Sequence, residues 1–389
     1  MALLSTGAPG EHCTPEMSVI DYTPITTPDP LRMGCELRSE RMGRLIRLVI
    51  VMTVYTEEAE LLHATMKAVA ANLAHLEGTG WSWHDVLLVI MVDGIEKASS
   101  SFLHAADETY NLFRPQLLEP GVTANTARPA VVHMFESTCG VDISADLVPK
   151  RAKRRHSRSH PTQDTDSQLV QVAFCLKARN GGKLNSHMWG MQGFSRLLNP
   201  KYVMTIDVGT IPVPDNFAIM LNEMEESPTT GGVAGEILPA GYDRCNGIAA
   251  AQEFEYWSTS FLDKATEAFF GYISVLPGAL SMYRWAAIRG DPLDAYFQLE
   301  AMPVSDISPF AANLYLAEDR ILAFNILARK DQKWFLDFIP GAVAYTDVPE
   351  KLPALVKQRR RWTNGSLFNL VYYLLHVKVR IGARHPNAL

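Results

Sequence analysis

Short, continuous apolar runs separated by helix-patterned segments constrain the fold of this chain most strongly. Residues 45–54, Val86–Val92 and residues 202–206 are rich in β-branched side chains and have the length of buried strands. Between the first two runs, leucine, methionine and valine recur at helical spacing over residues 57–76. Strands without polar alternation are buried on both faces, as in helix-covered parallel sheets. The pattern therefore predicts an α/β fold with a mainly parallel sheet.

Two of these runs end in an aspartate. Asp93-Gly94 follows the second run and Asp207-Val208-Gly209 follows the third. Ligands of open parallel sheets bind beyond the carboxyl ends of the strands, where a carboxylate can accept hydrogen bonds or hold a hard divalent cation. A turn or helix-cap role remains open for Asp93, whereas Asp207 is the stronger candidate for a metal ligand.

Three further clusters carry possible chemistry. A glycine pair precedes Lys183 at the start of an apolar-patterned helix, where it either meets a phosphate or simply forms a turn and cap. Residues 358–362, Gln-Arg-Arg-Arg-Trp, combine guanidinium groups that match phosphate oxygens with an indole that can stack on a sugar. Glu318-Asp319-Arg320 offers a carboxylate in an apolar frame. Solvated surface charge is the alternative for both of the charged motifs.

Charge and cysteine usage argue against a nucleic-acid-binding protein and against a disulfide-stabilised protein. The formal net charge of −6 hides six basic residues in 150–158, followed by a polar stretch. We interpret residues 145–168 as a disordered insertion, favoured over a nuclear signal or a nucleic-acid-binding arm. Five scattered cysteines indicate a reducing environment without a disulfide framework. The amino terminus does not resemble a signal peptide, and no apolar run reaches the ~18–20 residues of a spanning helix.

Taken in order along the chain, these segments resemble the catalytic domain of chitin synthases, which are processive inverting glycosyltransferases. The resemblance covers about residues 20–370. It is most specific at LAEDRIL (316–322), at QRRRW (358–362) and at VLPGALSMYR (275–284). Shorter matches include VIVMTVYTEE (49–58), VDGIEK (92–97), FCLKARNGGKLNSHMWGMQGF (174–194) and TIDVGTIP (205–212). The resemblance implies a GT-A fold, which is a Rossmann-like sheet covered by helices.

The resemblance also implies roles for individual residues. Asp319 matches the catalytic base, and Asp207 matches the metal-binding aspartate, although Asp-Val-Gly is not a full DxD motif. The implied uridine contacts are Thr53, Tyr55, Glu57 and Asp93. The segment that lines the nucleotide contains Lys183, Asn185 and His187. The acceptor sugar is expected near Gln252, Glu255, Tyr256, Pro277 and Gly278. The diphosphate and the terminal sugar are expected near Gln358, Arg361 and Trp362.

The implied reaction transfers N-acetylglucosamine from UDP-N-acetylglucosamine to the 4-hydroxyl of a chitin oligosaccharide acceptor, with inversion. A single in-line displacement needs a base on the acceptor oxygen and positive charge on the leaving diphosphate. Asp319 would be the base, and Mg²⁺ or Mn²⁺ at Asp207 would act with Arg361 on the leaving group. No covalent nucleophile is required.

The resemblance has limits that leave alternatives open. In full chitin synthases the core is followed by transmembrane helices, so this sequence is either a piece of a longer protein or a core-only relative. We expect a lead-in at 1–43, a catalytic domain at 44–350, and the QRRRW segment with an amphipathic interfacial helix at 351–389. That helix predicts association with the cytoplasmic face of the plasma membrane, peripheral for this sequence and integral for a longer chain. A non-polymerising UDP-sugar-binding subunit, a synthase of another β-linked polysaccharide and a homo-oligomer also remain open.

Overall fold

The computed structural model describes residues 21–25, 37–118, 132–143, 167–240, 246–330 and 332–380. The predicted basic insertion lies outside these residues, except that its last two residues begin a strand. The strands are β1 (Asp21–Ile25), β2 (Leu48–Val54), β3 (Val86–Val92), β4 (Val132–Asp142), β5 (Ser167–Lys177), β6 (Tyr202–Asp207), β7 (Ile211–Pro212), β8 (Thr230–Pro239), β9 (Leu280–Arg284) and β10 (Phe335–Thr346).

All of these strands belong to one sheet with the order β1-β4-β5-β3-β2-β6-β9-β8-β10-β7. Its centre, β5-β3-β2-β6, is parallel, as the three continuous apolar runs predict. Strands β8 and β10 are also parallel, whereas β1, β4, β7 and β9 join the sheet in antiparallel pairs. The predicted α/β fold is confirmed. Part of the predicted lead-in, β1, pairs along one edge with β4.

Helices cover both faces of the sheet, and alternate residues of each central strand contact opposite layers. Ile50 belongs to the core beneath helix α2, whereas its neighbour Val51 belongs to the core beneath the helical stretch 183–198. The helices are α1 (Arg38–Arg41), α2 (Ala59–Glu77), α3 (Ser100–His104), α4 (Lys183–Met188), α5 (Arg196–Leu198), α6 (Asn216–Glu226), α7 (Gly247–Ser258), α8 (Ala265–Phe269), α9 (Trp285–Ile288), α10 (Asp291–Tyr296), α11 (Pro309–Leu314), α12 (Glu318–Leu327) and α13 (Leu352–Arg380). π-helical segments at Trp189–Ser195 and Thr259–Lys264 join α4 to α5 and α7 to α8.

The parallel strands place their carboxyl ends at one edge of the sheet, as their order requires. Thr53 on β2 lies opposite Asp207 on β6, and Asp93 follows the end of β3. Lys177 ends the neighbouring strand β5. The residues that sequence analysis placed at strand ends therefore lie along one edge.

The QRRRW segment and the residues of the predicted interfacial helix lie on one helix. α13 is continuous over 29 residues, Leu352–Arg380. Gly365 and Asn369 are buried on the face that contacts α11 and α12. Leucines at 367, 370, 374 and 375 are exposed on other faces. No helix within the described part of the chain is long and apolar enough to cross a membrane.

Candidate active site

An ion pair between Lys183 and Asp207 lies at the carboxyl edge of the sheet. Lys183 Nζ donates to Asp207 Oδ2 at 2.7 Å, and Thr53 Oγ1 donates to Asp207 Oδ1 at 2.9 Å. Burial alone would raise the pKa of Asp207, but the lysine and the hydroxyl outweigh it and the pKa is lowered. Burial likewise opposes the charge on Lys183, but Asp207 raises the lysine pKa above its ordinary value. Both groups are therefore charged at neutral pH.

The backbone around Lys183 explains its position. Gly182 is the N-cap of α4 with φ of 87°, a conformation that favours glycine, so the glycine pair does form a turn and cap. Gly278, in the turn before β9, has no side chain where Lys183 passes. A Cβ at Gly278 would lie 3.2 Å from Lys183 Nζ and 3.7 Å from His187 Cε1. Gly278 was predicted to lie near the acceptor, and the structure places it against the lysine.

His187 lies beneath this ion pair and is buried. Its Nδ1 is 2.7 Å from the Tyr296 hydroxyl, and its Nε2 is buried without a hydrogen-bond partner among the described residues. Burial, together with the nearby Lys183 charge, lowers the pKa of His187 to about 3. The imidazole is therefore neutral.

Two adjacent carboxyl groups, Glu318 and Asp319, begin helix α12. Burial, and secondarily the charge of Asp319, raises the pKa of Glu318 to about 7. Burial also raises the pKa of Asp319, although Arg320, Lys183 and Arg361 act in the opposite direction. The backbone amide of Arg320 donates to Asp319 Oδ1 at 3.0 Å. Lys183 thus lies close enough to influence this pair as well as Asp207.

Asp93 is held by a buried cation that sequence analysis did not identify. Lys177 Nζ, fully buried, donates to Asp93 Oδ1 at 2.7 Å, and the Gly181 amide donates to the same oxygen at 2.8 Å. Burial lowers the pKa of Lys177, and Asp93 opposes this effect. One carboxylate oxygen is therefore occupied, and Oδ2 is not used in these bonds. Lys177 ends β5, which lies beside β3 in the folded sheet, and no local sequence pattern indicates that pairing.

The Gln-Arg-Arg-Arg-Trp segment at 358–362, which we name the cationic motif, lies in the second and third turns of α13. Arg359 forms an ion pair with Glu255 at 2.8 Å and stacks over the Trp362 ring, with Cζ 4.4 Å from its centroid. Arg361 is exposed, and its positive charge favours the ionised forms of Glu318 and Asp319. Gln358 Oε1 is buried without a partner among the described residues. Arg359 was not among the predicted site residues, and it joins the Trp362 indole to Glu255 by contacting both.

Several predicted residues have structural contacts of their own. Gln252 is buried, and its amide nitrogen donates to the Pro349 carbonyl at 2.8 Å, joining α7 to the segment before α13. Asn185 donates to Glu300 at 2.9 Å. The Pro277 carbonyl accepts from Ser281 Oγ at 2.7 Å. These contacts do not test the predicted substrate roles, which stay predictions.

Tyr55, Glu57 and Tyr256 lie at the periphery. The Tyr55 amide donates to the Glu57 carboxylate at 2.6 Å, and the Tyr55 ring is exposed. Tyr256 is half-buried, and burial raises the pKa of its hydroxyl. Tyr55 and Glu57 follow β2 on the strand-end edge, where a nucleoside is expected.

Another unpredicted cation, Lys264, lies in the π-helical segment after α7. Its side chain is buried, with Nζ 5.3 Å from the Phe338 ring centroid. Burial lowers its pKa to about 8, against the opposing charges of Glu267, Asp319 and Glu236. No sequence pattern marks this lysine, because it lies in an amphipathic helical stretch with other charged residues.

The residues at Asp207 fit a divalent cation only as part of its coordination shell. No group of three or more His, Cys, Asp or Glu side chains lies at metal-binding geometry in the described ranges. Asp207 is 34% exposed, and its two oxygens retain lone pairs beyond those used by Lys183 and Thr53. Mg²⁺ and Mn²⁺ commonly bind through one or two carboxylates together with substrate phosphates and water. The donor set therefore fits a cation brought with a diphosphate.

Comparison with known sequences decides the family. Residues 48–377 match the family described as a chitin synthase-like glycosyltransferase domain. This chain belongs to the chitin synthase family. It is 36% identical to chitin synthase 1 of Phytophthora sojae over 372 residues, which is 90% of this chain and 38% of that protein. It is 36% identical to chitin synthase 2 of Mycosarcoma maydis over 378 residues, covering 93% of this chain and 33% of that protein.

A third relative, chitin synthase 2 of Rhizopus oligosporus, is 35% identical over 361 residues, covering 88% of this chain and 40% of that protein. The chain thus spans well under half the length of these curated relatives. The family match covers the site residues of the sheet edge, of α12 and of the first half of α13 in one continuous domain.

Solved structures with related architecture are more distant. A mannosyltransferase from Pyrobaculum calidifontis, in complex with GDP-Man and Mn²⁺, aligns with a TM-score of 0.46 and 13% identity over 85% of this chain and 65% of that one. Staphylococcus aureus TarS, residues 1–349, aligns with a TM-score of 0.40 and 8% identity over 86% of this chain and 73% of that one. The assignment to chitin synthases rests on the sequence matches.

Proposed function

We propose that this chain is a chitin synthase catalytic domain that transfers N-acetylglucosamine from UDP-N-acetylglucosamine to the 4-hydroxyl of a β-1,4-linked acceptor. One observation carries the proposal. Lys183 is hydrogen-bonded to Asp207 at 2.7 Å and also lowers the pKa of Glu318 and Asp319. A single cation therefore pairs with the carboxylate expected at the leaving diphosphate and acts electrostatically on the carboxylate expected to be the base.

Asp319 is the base in this proposal. It accepts the proton of the acceptor hydroxyl as that oxygen attacks the anomeric carbon, a contribution of ~10²–10⁴-fold in general. Two carboxyls on consecutive residues do not both ionise readily. Burial raises the pKa of both groups, that of Glu318 to about 7, so Glu318 is partly protonated at neutral pH. The Arg320 charge and backbone amide favour the ionised form of Asp319, which is the form that a base needs.

The leaving UDP acquires negative charge as the sugar departs. Lys183 and Arg361 both act electrostatically on Glu318 and Asp319 and provide positive charge near them. A divalent cation bound at Asp207 would neutralise diphosphate charge when present. Lys183 already pairs with Asp207, so the lysine keeps that carboxylate ionised and oriented before a donor binds.

The remaining substrate contacts are proposed from the positions of these residues in the fold. Asp93, whose Oδ1 is bound by Lys177 and the Gly181 amide, follows β3 at the carboxyl edge of the sheet, where Thr53, Tyr55 and Glu57 also lie. Trp362, stacked with Arg359, offers an indole for the acceptor sugar. Glu255 and Tyr256 on α7 lie on the same side as Arg359.

The test is a donor panel with product analysis. The chain is incubated with UDP-N-acetylglucosamine, UDP-glucose or UDP-glucuronic acid, a chitin oligosaccharide and Mg²⁺ or Mn²⁺. Released UDP is measured, and the product is digested with chitinase. We expect transfer only from UDP-N-acetylglucosamine. Transfer from another donor would support a synthase of a different polysaccharide, and UDP binding without transfer would support a binding subunit.

Asp319→Asn gives the residue-level test. The amide preserves shape and cannot accept the proton, so transfer should fall by ~10²-fold or more while UDP affinity in calorimetry is unchanged. Asp306→Asn, at an exposed aspartate in the Val304–Asp306 turn, is the matched control and should leave transfer unchanged. Full transfer activity in Asp319→Asn would disprove the base assignment.

A peripheral membrane contact through α13 is also proposed. Leu367, Leu370 and Leu374 are 53–67% exposed on a helix whose other face is packed on the domain. An exposed apolar stripe on an amphipathic helix binds at the lipid interface. The proposed location is a membrane surface, and oligomerisation stays an expectation.

A further inference from the structure

Helix α13 contacts the backbone immediately before the acid pair. At Gly365 the helices approach so closely that a Cβ would lie 2.6 Å from Ala317 Cβ and 2.8 Å from Ala317 N. One turn later, Asn369 is fully buried. Its Nδ2 donates to the Leu314 carbonyl at 2.8 Å and to the Gly365 carbonyl of its own helix at 2.9 Å, and it lies 3.3 Å from the Ala317 carbonyl. Leu314 is the last residue of α11, and Ala317 immediately precedes α12.

A second contact lies on the other side of Asp319. The Tyr373 hydroxyl donates to the Arg320 carbonyl, and the Tyr373 ring stacks on Phe324 with centroids 4.3 Å apart. Gly365, Asn369 and Tyr373 recur every four residues and form one stripe, which we name the contact face of α13. The contact face therefore holds the chain two residues before Asp319 and one residue after it.

The start of α12 depends on these contacts for its geometry. Ala317 is the N-cap of α12, has no capping side chain, and has the non-helical angles φ −134° and ψ 63°. A helix start without a side-chain cap loses the hydrogen bond that usually fixes its first turn. Asn369 is a donor and does not replace that acceptor; its Nδ2 holds the Ala317 carbonyl from another helix. The direction of the Asp319 side chain follows from the backbone that Asn369 and Tyr373 hold.

The buried asparagine is costly by itself. Asn369 Oδ1 has no hydrogen-bond partner among the described residues, and a buried unpaired carbonyl oxygen destabilises the folded state. An apolar side chain of the same size would avoid that cost. The polar residue is therefore better explained by the backbone geometry it fixes than by stability.

We propose that Asn369 and Tyr373 are positioning residues for the Asp319 base, and that they set its distance from the cationic motif on the same helix. Arg361 and Trp362 precede the contact face by one to two turns of α13. A shift of α13 would therefore move Arg361 and would also move the backbone on both sides of Asp319. This inference rests on the proposed function, because it takes Asp319 as the base.

The test compares substitutions that remove one hydrogen bond each. Asn369→Leu keeps the side-chain volume and removes the donor, and Tyr373→Phe keeps the stacked ring and removes the hydroxyl. Tyr372→Phe, on the neighbouring residue whose ring stacks on His376, is the matched control. We expect kcat to fall by ~10–10²-fold in Asn369→Leu and less in Tyr373→Phe, with donor KM and UDP affinity unchanged, because misplacement affects the chemical step.

Hydrogen exchange of peptides covering residues 314–322 gives a readout that does not need activity. Exchange there should quicken in Asn369→Leu and Tyr373→Phe and remain as in wild type in Tyr372→Phe. The kcat is expressed per UDP-binding site, so that a loss of folded protein is not counted as a loss of catalysis. If Asn369→Leu does not fold, the kcat and hydrogen exchange of Tyr373→Phe decide whether the positioning role holds.

Unchanged kcat per site in both variants of an active wild-type chain would overturn the positioning role and leave the proposed function standing. Loss of total transfer activity in proportion to the loss of UDP-binding sites would show a role in folding only, which also overturns it. A wild-type chain without transfer activity would overturn the proposed function, and with it the positioning role of both residues.

Discussion

Removing the charge of Lys183 should affect both the leaving-group side and the base side of the site. Lys183→Met keeps the length of the side chain and leaves Asp207 with only the Thr53 hydroxyl. Unit charges about 4 Å apart interact by ~4 kcal/mol at an effective dielectric constant of ~20. The two side chains are 35% and 34% exposed. Solvent screening reduces this energy to ~1 kcal/mol of folding stability.

The larger effect is expected on catalysis. A preorganised group at a developing charge is worth ~10²–10³-fold in kcat. Lys183 also lowers the pKa of Glu318 and Asp319, so its removal should raise both further. The base acts when ionised, so activity is lost as pH falls through the pKa of the pair. The acid limb of the pH–rate profile should therefore move to higher pH, by up to about one unit, or ~1.4 kcal/mol.

Continuous measurement of UDP release between about pH 5.5 and pH 9 tests this prediction. Lys201→Met is the matched control, because Lys201 forms an ion pair with Glu225 at the opposite end of β6. The control should keep the wild-type kcat and acid limb. An unshifted acid limb in Lys183→Met, with wild-type kcat, would refute the action of this lysine on both carboxylate groups.

Three further outcomes are expected. Gly278→Ala should lower kcat slightly, because its Cβ displaces Lys183 Nζ by only a few tenths of an ångström. Gly278→Val should lower kcat by ~10²-fold. Equal effects of the two substitutions would count against the contact between Gly278 and Lys183. Asp207→Ala should abolish the Mg²⁺ dependence of UDP affinity measured by calorimetry, and an unchanged metal dependence would remove Asp207 as a ligand. Leu370→Glu and Leu374→Glu should weaken flotation with anionic liposomes without altering UDP affinity, and unaltered flotation would exclude that face.

Much of the sheet could be predicted from the sequence, because strands of a buried parallel sheet have continuous apolar sequences. β2, β3 and β6 coincide with the runs, and Thr53, Asp93 and Asp207 lie together at their carboxyl ends. Strand pairing at the edges could not be predicted in the same way. β8 and β10 are parallel neighbours separated by about a hundred residues, and only the folded chain reveals that contact.

The partners of the predicted site residues were harder to predict than the residues themselves. Asp93 was expected at a ligand, but nothing local to it indicates that Lys177 would be fully buried against it. The glycine at 278 was expected at the acceptor, and its contact with Lys183 depends on β9 lying beside β6. Such pairs join strands or helices far apart in sequence, where periodicity carries no information.

The buried face of α13 could not be predicted from apolar periodicity. Periodicity assigns a buried face only where apolar residues recur. The face that is buried instead presents a glycine, an asparagine and a tyrosine, which pattern analysis reads as polar. Those residues bury because they meet backbone carbonyls and a close helix crossing, not apolar side chains. The same contacts link the guanidinium groups of residues 359–361 to Asp319 through one rigid element. The proposed leaving-group cation and the proposed base thus lie on two helices that are joined by hydrogen bonds to backbone carbonyls.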